Sequence, residues 1–569
     1  MIGSILRSSA VRFLASVVLA ASFVPCVPAG VVNSDAPVRA RAKYLALISI
    51  DSCRPDYLDL VPTPNIDRLK KAGTYYSNSW VGQVSNDTPA GHTAISTGSF
   101  GKNNRVISFN WRNSCALPAD WPLRVAATDK VLEFVNFSGW DALGLWYQQN
   151  IVRKSIEGNF ITSYDRVASG YFSSYVRESG VTSIGSLYKK ANPGASVAAI
   201  SSDKWYACAG LAADSADCTV FAEARGAAPV GYNNVFHLKP AGISGTRQPD
   251  YIVSDPSFTR EVKDERDTDT WAADVAIAVI EKDAPQVLLI NLPATDDAGH
   301  ATGGINAPAR MAEVIANVDR QVGRIMDAYQ KAGRYDDTVW VITSDHGMTP
   351  CEQTIGQPVI DKLLVAERNF ANVGAHVYLM KPDQARQVAE KLAGAGIPGL
   401  YGAYYRTGPA GGPYRYEPVK ATADTISADL DRCYRYLLDT FAGENSPDIE
   451  LLLAENCHID WTMFDGKRFF GQHDSTSWLQ QHNFLLIAGP GARQGFVSES
   501  PARLVDIAPT VLTLLGIRPE RMDGIVLSDA LESPTTTQLH TQITVNSELM
   551  PLVDALRAQS EADLKARRK

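Results

Sequence analysis

Of the nine histidines in the chain, three stand beside aspartate or glycine where apolar runs begin or end. The run Val287-Leu-Leu-Ile-Asn-Leu292 leads into Asp296-Asp-Ala-Gly-His300. An aspartate and a histidine four residues apart, on a loop containing glycine, can converge on one cation. Oxygen with nitrogen suits zinc, or manganese less well. A second pair, Asp345-His346-Gly347, follows the run Val339-Trp-Val-Ile-Thr-Ser344, and glycine leaves backbone room beside it. His473, in Gly471-Gln-His473-Asp474, precedes a further apolar run. Asp51 closes the run Tyr44–Ile50, a position that turn chemistry alone also fills with aspartate. Taken together, Asp51, Asp296, His300, Asp345, His346 and His473 make two sites of three protein ligands each. That leaves open positions, as catalytic metal centres require. Two ions about 4 Å apart can clamp the attacking and leaving oxygens of an in-line displacement at phosphorus.

The stretch Ser85-Asn-Asp-Thr88-Pro-Ala-Gly-His92 reads as a loop entering a helix, with Thr88 as N-cap and Pro89 in the first turn. A plain cap is one reading. The other is a hydroxyl nucleophile at a helix N-terminus, where the dipole favours an anion. Threonine needs a base or a metal to become one.

The elements that must hold these residues alternate between strand and helix. Apolar runs at 44–50, 196–201, 286–292, 338–343 and 483–488 read as buried strands. Helical patterns lie at 64–73, 270–281, 307–331 and 501–515. Such alternation predicts an α/β protein, a three-layer αβα sandwich with a large, mostly parallel sheet. Its chemistry belongs at the carboxyl ends of the strands. Segments 110–190, rich in Trp, Tyr, Ser and Asn, and 395–460, with Gly-Pro-Ala-Gly-Gly-Pro, break the rhythm and read as inserted cap regions. Residues 536–569 read as a C-terminal helical tail.

At 569 residues the chain could hold three or four domains of roughly 150 residues, though one large α/β unit also reaches this size. The net charge of −8 gives no sign of a basic nucleic-acid-binding surface. Arg7 and Arg12 flank or precede an apolar run from Phe13 to Val24, too short for a bilayer but right for a signal peptide cleaved after Ala29. Residues 1–29 are thus expected to be a signal peptide and 30–43 a linker. The mature protein is expected to be exported, periplasmic or secreted, and free of the membrane. Eight cysteines less Cys26 leave an odd number, so at least one thiol lacks an intrachain partner. Cys208–Cys218 is the expected disulfide, with Cys433–Cys457 a weaker pairing, and Cys53 reads as a core residue.

The order Asp51, Thr88, Asp296-x-x-x-His300, Asp345-His346-Gly347, His473 resembles the alkaline phosphatase superfamily. It is most similar to the type I phosphodiesterase/nucleotide pyrophosphatase branch, with the related phosphonoacetate hydrolases and threonine-dependent alkaline phosphatases. Thr63-Pro-Asn-Ile-Asp-Arg-Leu69 and Asp506-Ile-Ala-Pro-Thr-Val-Leu-Thr-Leu-Leu-Gly516 add to the likeness. The resemblance implies a catalytic domain over residues 44–535 and an alkaline phosphatase-like fold. It implies one zinc held by Asp296, His300 and His473, and another by Asp51, Asp345 and His346 with the Thr88 oxygen. Thr88 would form a phosphothreonine intermediate on a small phosphate-ester substrate. It also implies Asn110 and Lys204 as substrate-binding residues.

Two departures stand out. Pro89-Ala90-Gly91-His92 replaces an aromatic-Pro-Asn-His run. Ser201-Ser202-Asp203-Lys204 keeps one basic residue where relatives acting on monoesters or phosphonates carry two. The single lysine does not decide between monoester and diester; the resemblance implies a phosphodiesterase, with a phosphomonoesterase or phosphonate hydrolase as the alternative and a non-catalytic metal-binding homologue as a third. Sulfatases, which need a Cys/Ser-x-Pro-x-Arg run at the nucleophile, do not fit Thr88-Pro89-Ala90-Gly91-His92.

Overall fold

The computed structural model describes residues 42–108, 110–112, 160–162, 176–225, 236–243, 245–364, 370–379, 382–460, 469–473 and 475–567. Residues 1–29, where a signal peptide is expected, and most of 110–190 lie outside them.

Strand Tyr44–Ile50 shows why a sheet forms. Leu45 and Leu47 face one apolar core, while Ala46, Ile48 and Ile50 face another. The same alternation divides Val287–Leu292 and Thr338–Thr343, with Val339 and Val341 on one side and Trp340 and Ile342 on the other. A period of two with both faces apolar can be buried only between two helical layers. Each Leu or Ile so buried contributes about 1.5–3 kcal/mol.

Ten strands make the main sheet, in the order 496–498, 73–76, 485–488, 338–343, 44–50, 287–292, 197–200, 218–225, 236–241, 260–262. The five from 338–343 to 218–225 are mutually parallel. The outer strands are not all so. Leu485–Ala488 runs antiparallel to its two neighbours, and the hairpin strands 236–241 and 260–262 are antiparallel as well. The sheet is therefore mixed, parallel at the strands that lead to Asp51, Asp296 and Asp345 and partly antiparallel toward its edges.

A second sheet of five strands, 370–373, 376–379, 449–453, 400–407 and 415–418, packs its own core with helix Ala385–Ala393. It takes in much of the 395–460 segment. The long helix Thr536–Arg567 returns to the main body, where Leu549, Leu552, Val553 and Leu556 join its core.

The disulfide expectations fail. Cys208 and Cys218 are both free, as are Cys433 and Cys457. Cys208 lies in the core on one side of the sheet and Cys218 in the core on the other. Cys433 and Cys457 likewise belong to separate cores. Closeness along the chain does not bring two thiols together when a sheet stands between them. Cys53 is buried among core residues, as expected.

Candidate active site

Three adjacent parallel strands bring the carboxylates together. Ile50 is in register with Leu292, and Ser49 with Thr343. Asp51 is therefore one residue past its strand, Asp345 two past the next, and both turn over the same sheet edge. The Asp51 backbone N–H donates to the Leu292 carbonyl at 3.0 Å, which holds the turn to its neighbour. Asp296 and His300 lie on helix Ala294–Thr302, not on a loop. Four residues on a helix are about one turn, so both side chains share a face. His300 Nε2 is 3.3 Å from Asp296 Oδ2, and His473 Nε2 is 3.5 Å from Asp296 Oδ1. His346 Nε2 is 3.2 Å from Asp345 Oδ2 and 3.7 Å from Asp51 Oδ1. All six residues named from the sequence converge. His346 stacks on His473 at 3.9 Å between ring centres, so the two groups of three adjoin.

Thr88 opens helix Thr88–Thr97, every residue of which is buried. The cap is Asp87, not Thr88: its carboxylate accepts from the Ala90 N–H at 3.1 Å. That leaves the Thr88 hydroxyl for other work, and its Oγ1 lies 3.3 Å from His346 Nε2. Gly91 explains how the helix comes so close. A Cβ at this position would meet the Asp345 Cβ and carbonyl oxygen at 2.9 Å.

The donor set fits divalent cations. His300 Nδ1 lies 2.8 Å from the Gly471 carbonyl, His473 Nδ1 3.1 Å from that of Asn86, and His346 Nδ1 3.0 Å from that of Gly347. A carbonyl can only accept, so each Nδ1 carries a proton and each Nε2 turns inward. Asp51 Oδ1 and Asp345 Oδ2 are buried without a hydrogen bond. Burial, helped by the Asp345 charge, pushes the Asp51 carboxyl up to about 7. Burial holds His473 well below the ordinary imidazole value, so it stays neutral. Burial would lower the His346 pKa, but Asp345, with Asp51 and Asp296, outweighs it and raises it to about 10, so the buried carboxylates draw positive charge into their midst.

Ligand atoms can be grouped in another way. Asp296, His346 and His473 lie within 4.8 Å of one another, as do Asp51, His92 and Asp345. His92 is the weaker ligand of the second set, because both its nitrogens are engaged. Its Nδ1 is 2.8 Å from the Thr88 carbonyl and its Nε2 3.1 Å from Asn291 Nδ2. Asn291 Nδ2 also donates to Asp51 Oδ2 at 2.8 Å, and Ser201 donates to Asn291 Oδ1 at 2.9 Å. The chain Ser201–Asn291–His92 thus braces the Thr88 backbone against Asp51.

Lys204 is buried in the same cleft. Its Nζ bonds to Asp296 Oδ2 and lies 3.3 Å from Asp51 Oδ1, one carboxylate from each group. Burial alone would lower its pKa, but Asp296 and Asp51 outweigh it and raise it well above the ordinary value. Two residues on, Tyr206 is buried where a second basic residue was expected in relatives. Asn110 begins the strand Asn110–Arg112, and its side chain lies outside the described residues.

Sequence reasoning did not single out Ser52, His92, Asn291 or Ser201. The signals were faint. His92 is one helical turn from Thr88, and Asn291 is the one polar residue in Val287–Leu292.

Residues 45–409 match the family model described as type I phosphodiesterase / nucleotide pyrophosphatase. A bis(5'-adenosyl)-triphosphatase from Mus musculus is 26% identical over 234 residues, covering 40% of this chain and 44% of that protein. The Homo sapiens counterpart is 24% identical over the same lengths. Less than half of either relative is therefore spanned. Among solved structures, murine ectonucleotide pyrophosphatase / phosphodiesterase 5 aligns with a TM-score of 0.54 at 18% identity, over 86% of this chain and 100% of that one. A second structure of that murine protein is an inactive threonine-to-alanine variant in complex with AMP. The alkaline phosphatase PafA aligns with a TM-score of 0.58 at 16% identity, over 87% and 100%.

Proposed function

This chain belongs to the type I phosphodiesterase/nucleotide pyrophosphatase family, and we propose that it is a two-metal hydrolase of phosphoric diesters with Thr88 as nucleophile. The observation that carries this reading is the Thr88 hydroxyl at a buried helix start, 3.3 Å from His346 Nε2 and beside hydrogen-bond-free oxygens of Asp51 and Asp345.

In this reading Asp296, His300 and His473 hold one ion. Asp51, Asp345, His346 and the Thr88 oxygen hold the other, and zinc suits the mixture of imidazole and carboxylate. When bound, the pair of ions supplies Lewis acidity that makes the Thr88 hydroxyl easier to deprotonate and stabilises charge on the leaving oxygen. Thr88 Oγ1 then attacks phosphorus in line. The bond from phosphorus to the leaving oxygen breaks, and phosphothreonine forms. Water attacks that phosphorus from the opposite side and returns the Thr88 hydroxyl. His92 holds the Thr88 carbonyl, and so the nucleophile's backbone, through both half-reactions. Lys204 and Asn110 are assigned to the non-bridging phosphate oxygens.

Substrate class follows from charge. A monoester carries one more negative charge than a diester, and a second cation beside the phosphate would favour it. Here the run from Ser201 to Tyr206 carries one basic residue, Lys204, with neutral Tyr206 two residues on, which supports diesters. The adenosine-based name of the murine relative, and the AMP held by the murine neighbour, support nucleotide diesters and pyrophosphates. Lys204 is itself the observation that favours the second reading, a phosphomonoesterase or phosphonate hydrolase.

Export belongs to the same proposal and rests on the Arg7, Arg12 and Phe13–Val24 pattern. Among the described residues no helix is long and apolar enough to cross a membrane.

The test is hydrolysis of a bis-aryl phosphodiester against the corresponding aryl monoester by zinc-replete protein. Diester hydrolysis in excess is expected, and it should stop on chelation and return with zinc. A strong monoester preference overturns the substrate assignment, and indifference to chelators overturns the two-metal reading.

A further inference from the structure

Ser52 adopts a backbone conformation that serine rarely takes. Its φ is +58°, in the left-handed region that favours glycine. The residue is fully buried, directly after Asp51. A non-glycine residue held this way needs something in its surroundings to offset the strain, and the hydroxyl supplies it. Ser52 Oγ lies 2.6 Å from Asp296 Oδ1 and 2.9 Å from His346 Nδ1, while the Ser52 backbone N–H donates to Asp345 Oδ1 at 3.2 Å. Its contact with the Gly347 carbonyl, at 3.5 Å, is at the limit of a hydrogen bond.

The proton count settles the direction of these bonds. A hydroxyl has one proton, and the Asp296 carboxylate can only accept. Ser52 therefore donates to Asp296 and accepts from the His346 Nδ1–H, a proton it shares with the Gly347 carbonyl. That turns His346 Nε2 toward Asp345 Oδ2 and the Thr88 hydroxyl. One serine thus touches Asp296 from one ligand group, and Asp345 and His346 from the other.

We propose that Ser52 is a positioning residue that couples the two metal sites, its hydroxyl fixing the Asp296 carboxylate and the His346 ring in mutual register. The inference rests on the two-metal reading above. It extends that reading to a residue outside the six proposed ligands and the nucleophile. Outer partners that orient ligands commonly govern metal affinity by 10–100-fold.

Two variants test it, Ser52→Gly and Ser52→Ala. Both remove the hydroxyl. Glycine also relieves the left-handed backbone, whereas alanine keeps its cost. Zinc affinity and stoichiometry are measured by competition with a chromogenic chelator, and kcat and KM are measured on a bis-aryl diester. Urea midpoints of the chelator-treated proteins check folding. The expected result is a loss of about 10–100-fold in zinc affinity in both variants, with kcat lowered and KM little changed. Ser52→Gly should fold at least as well as wild type. Wild-type zinc affinity in both variants overturns the inference. So does a defect in Ser52→Ala that Ser52→Gly lacks, since backbone strain would then be the cause. If wild-type protein itself binds fewer than two zinc ions, the two-metal reading fails first and this inference falls with it.

Discussion

Asp345 and Asp448 are almost equally buried, yet they sit in opposite company. Asp448, at the edge of the five-stranded sheet, accepts from Arg406 at 2.8 Å and from the Leu379 N–H at 2.7 Å. Glu455, beyond the other end of strand Ile449–Leu453, accepts from Thr349, Ser477, Ser560 and the Leu479 N–H. Asp345 and Asp51, at the edge of the ten-stranded sheet, each keep one oxygen without a hydrogen bond, with longer contacts from His346 at 3.2 Å and Lys204 at 3.3 Å upon them. A buried carboxylate saturated by the chain's own donors holds the fold together. A pair left short of donors costs stability and serves a charge that comes from outside. Burial alone does not separate the two cases; the donor count does.

The comparison can be broken at several points. Thr88→Ala should have the largest effect, a fall of about 10³-fold or more in diester turnover, with zinc still bound. Acid-quenched wild type incubated with substrate should carry a phosphorylated Thr88 peptide by mass spectrometry, and the variant none. Asp345→Asn and Asp448→Asn should then part ways. Asp345→Asn is expected to lose at least 10-fold in zinc affinity and to be no less stable than wild type in chelator. Asp448→Asn is expected to bind zinc normally and to lose about 3 kcal/mol in urea unfolding, because Arg406 is left without its counter-charge. If Asp448→Asn impaired zinc binding instead, the division between the two regions would be false.

Smaller effects sharpen the picture. Ser560→Ala removes a donor to Glu455 and the acceptor of the Trp478 N–H, a loss of about 1–2 kcal/mol seen as a lower urea midpoint. His482 offers a pH test away from the metal ligands. Burial, with a smaller push from Arg54 and Arg557, lowers its pKa from 6.5 to about 4, while the bond to the Ser77 carbonyl opposes the shift. Between those values the unfolded chain binds a proton that the folded one does not, so stability falls as pH drops through that window. His482→Gln should flatten that part of the pH profile of the urea midpoint without changing it at pH 8.

Much of this site could be read from residue types alone. Aspartates that close apolar runs, and histidines one helical turn or one residue from them, need no long-range information to be noticed. The central parallel strands were equally plain, since both of their faces are apolar. What escaped depends on backbone angles and on pairings across the chain. Ser52 looks like any turn serine until its φ is known. Asp87 and Thr88 are both good caps on paper, and only geometry decides between them. Asp296 and His300 read as a loop because glycine and aspartate are poor helix formers, yet packing carries the helix through them. Leu485–Ala488 is too short for its direction to be read, and the two expected disulfides ignored the sheet that separates their cores.

The long C-terminal helix has a further consequence, in time rather than in space. Its Ser560 and Asp563 complete the bonds around Glu455 and its backbone N–H, and Ser560 also holds the Trp478 N–H, five residues past His473. During synthesis, nearly every strand and all the proposed ligands leave the ribosome before those two residues exist. The segment just after His473 therefore receives this anchor from residues made more than eighty positions later.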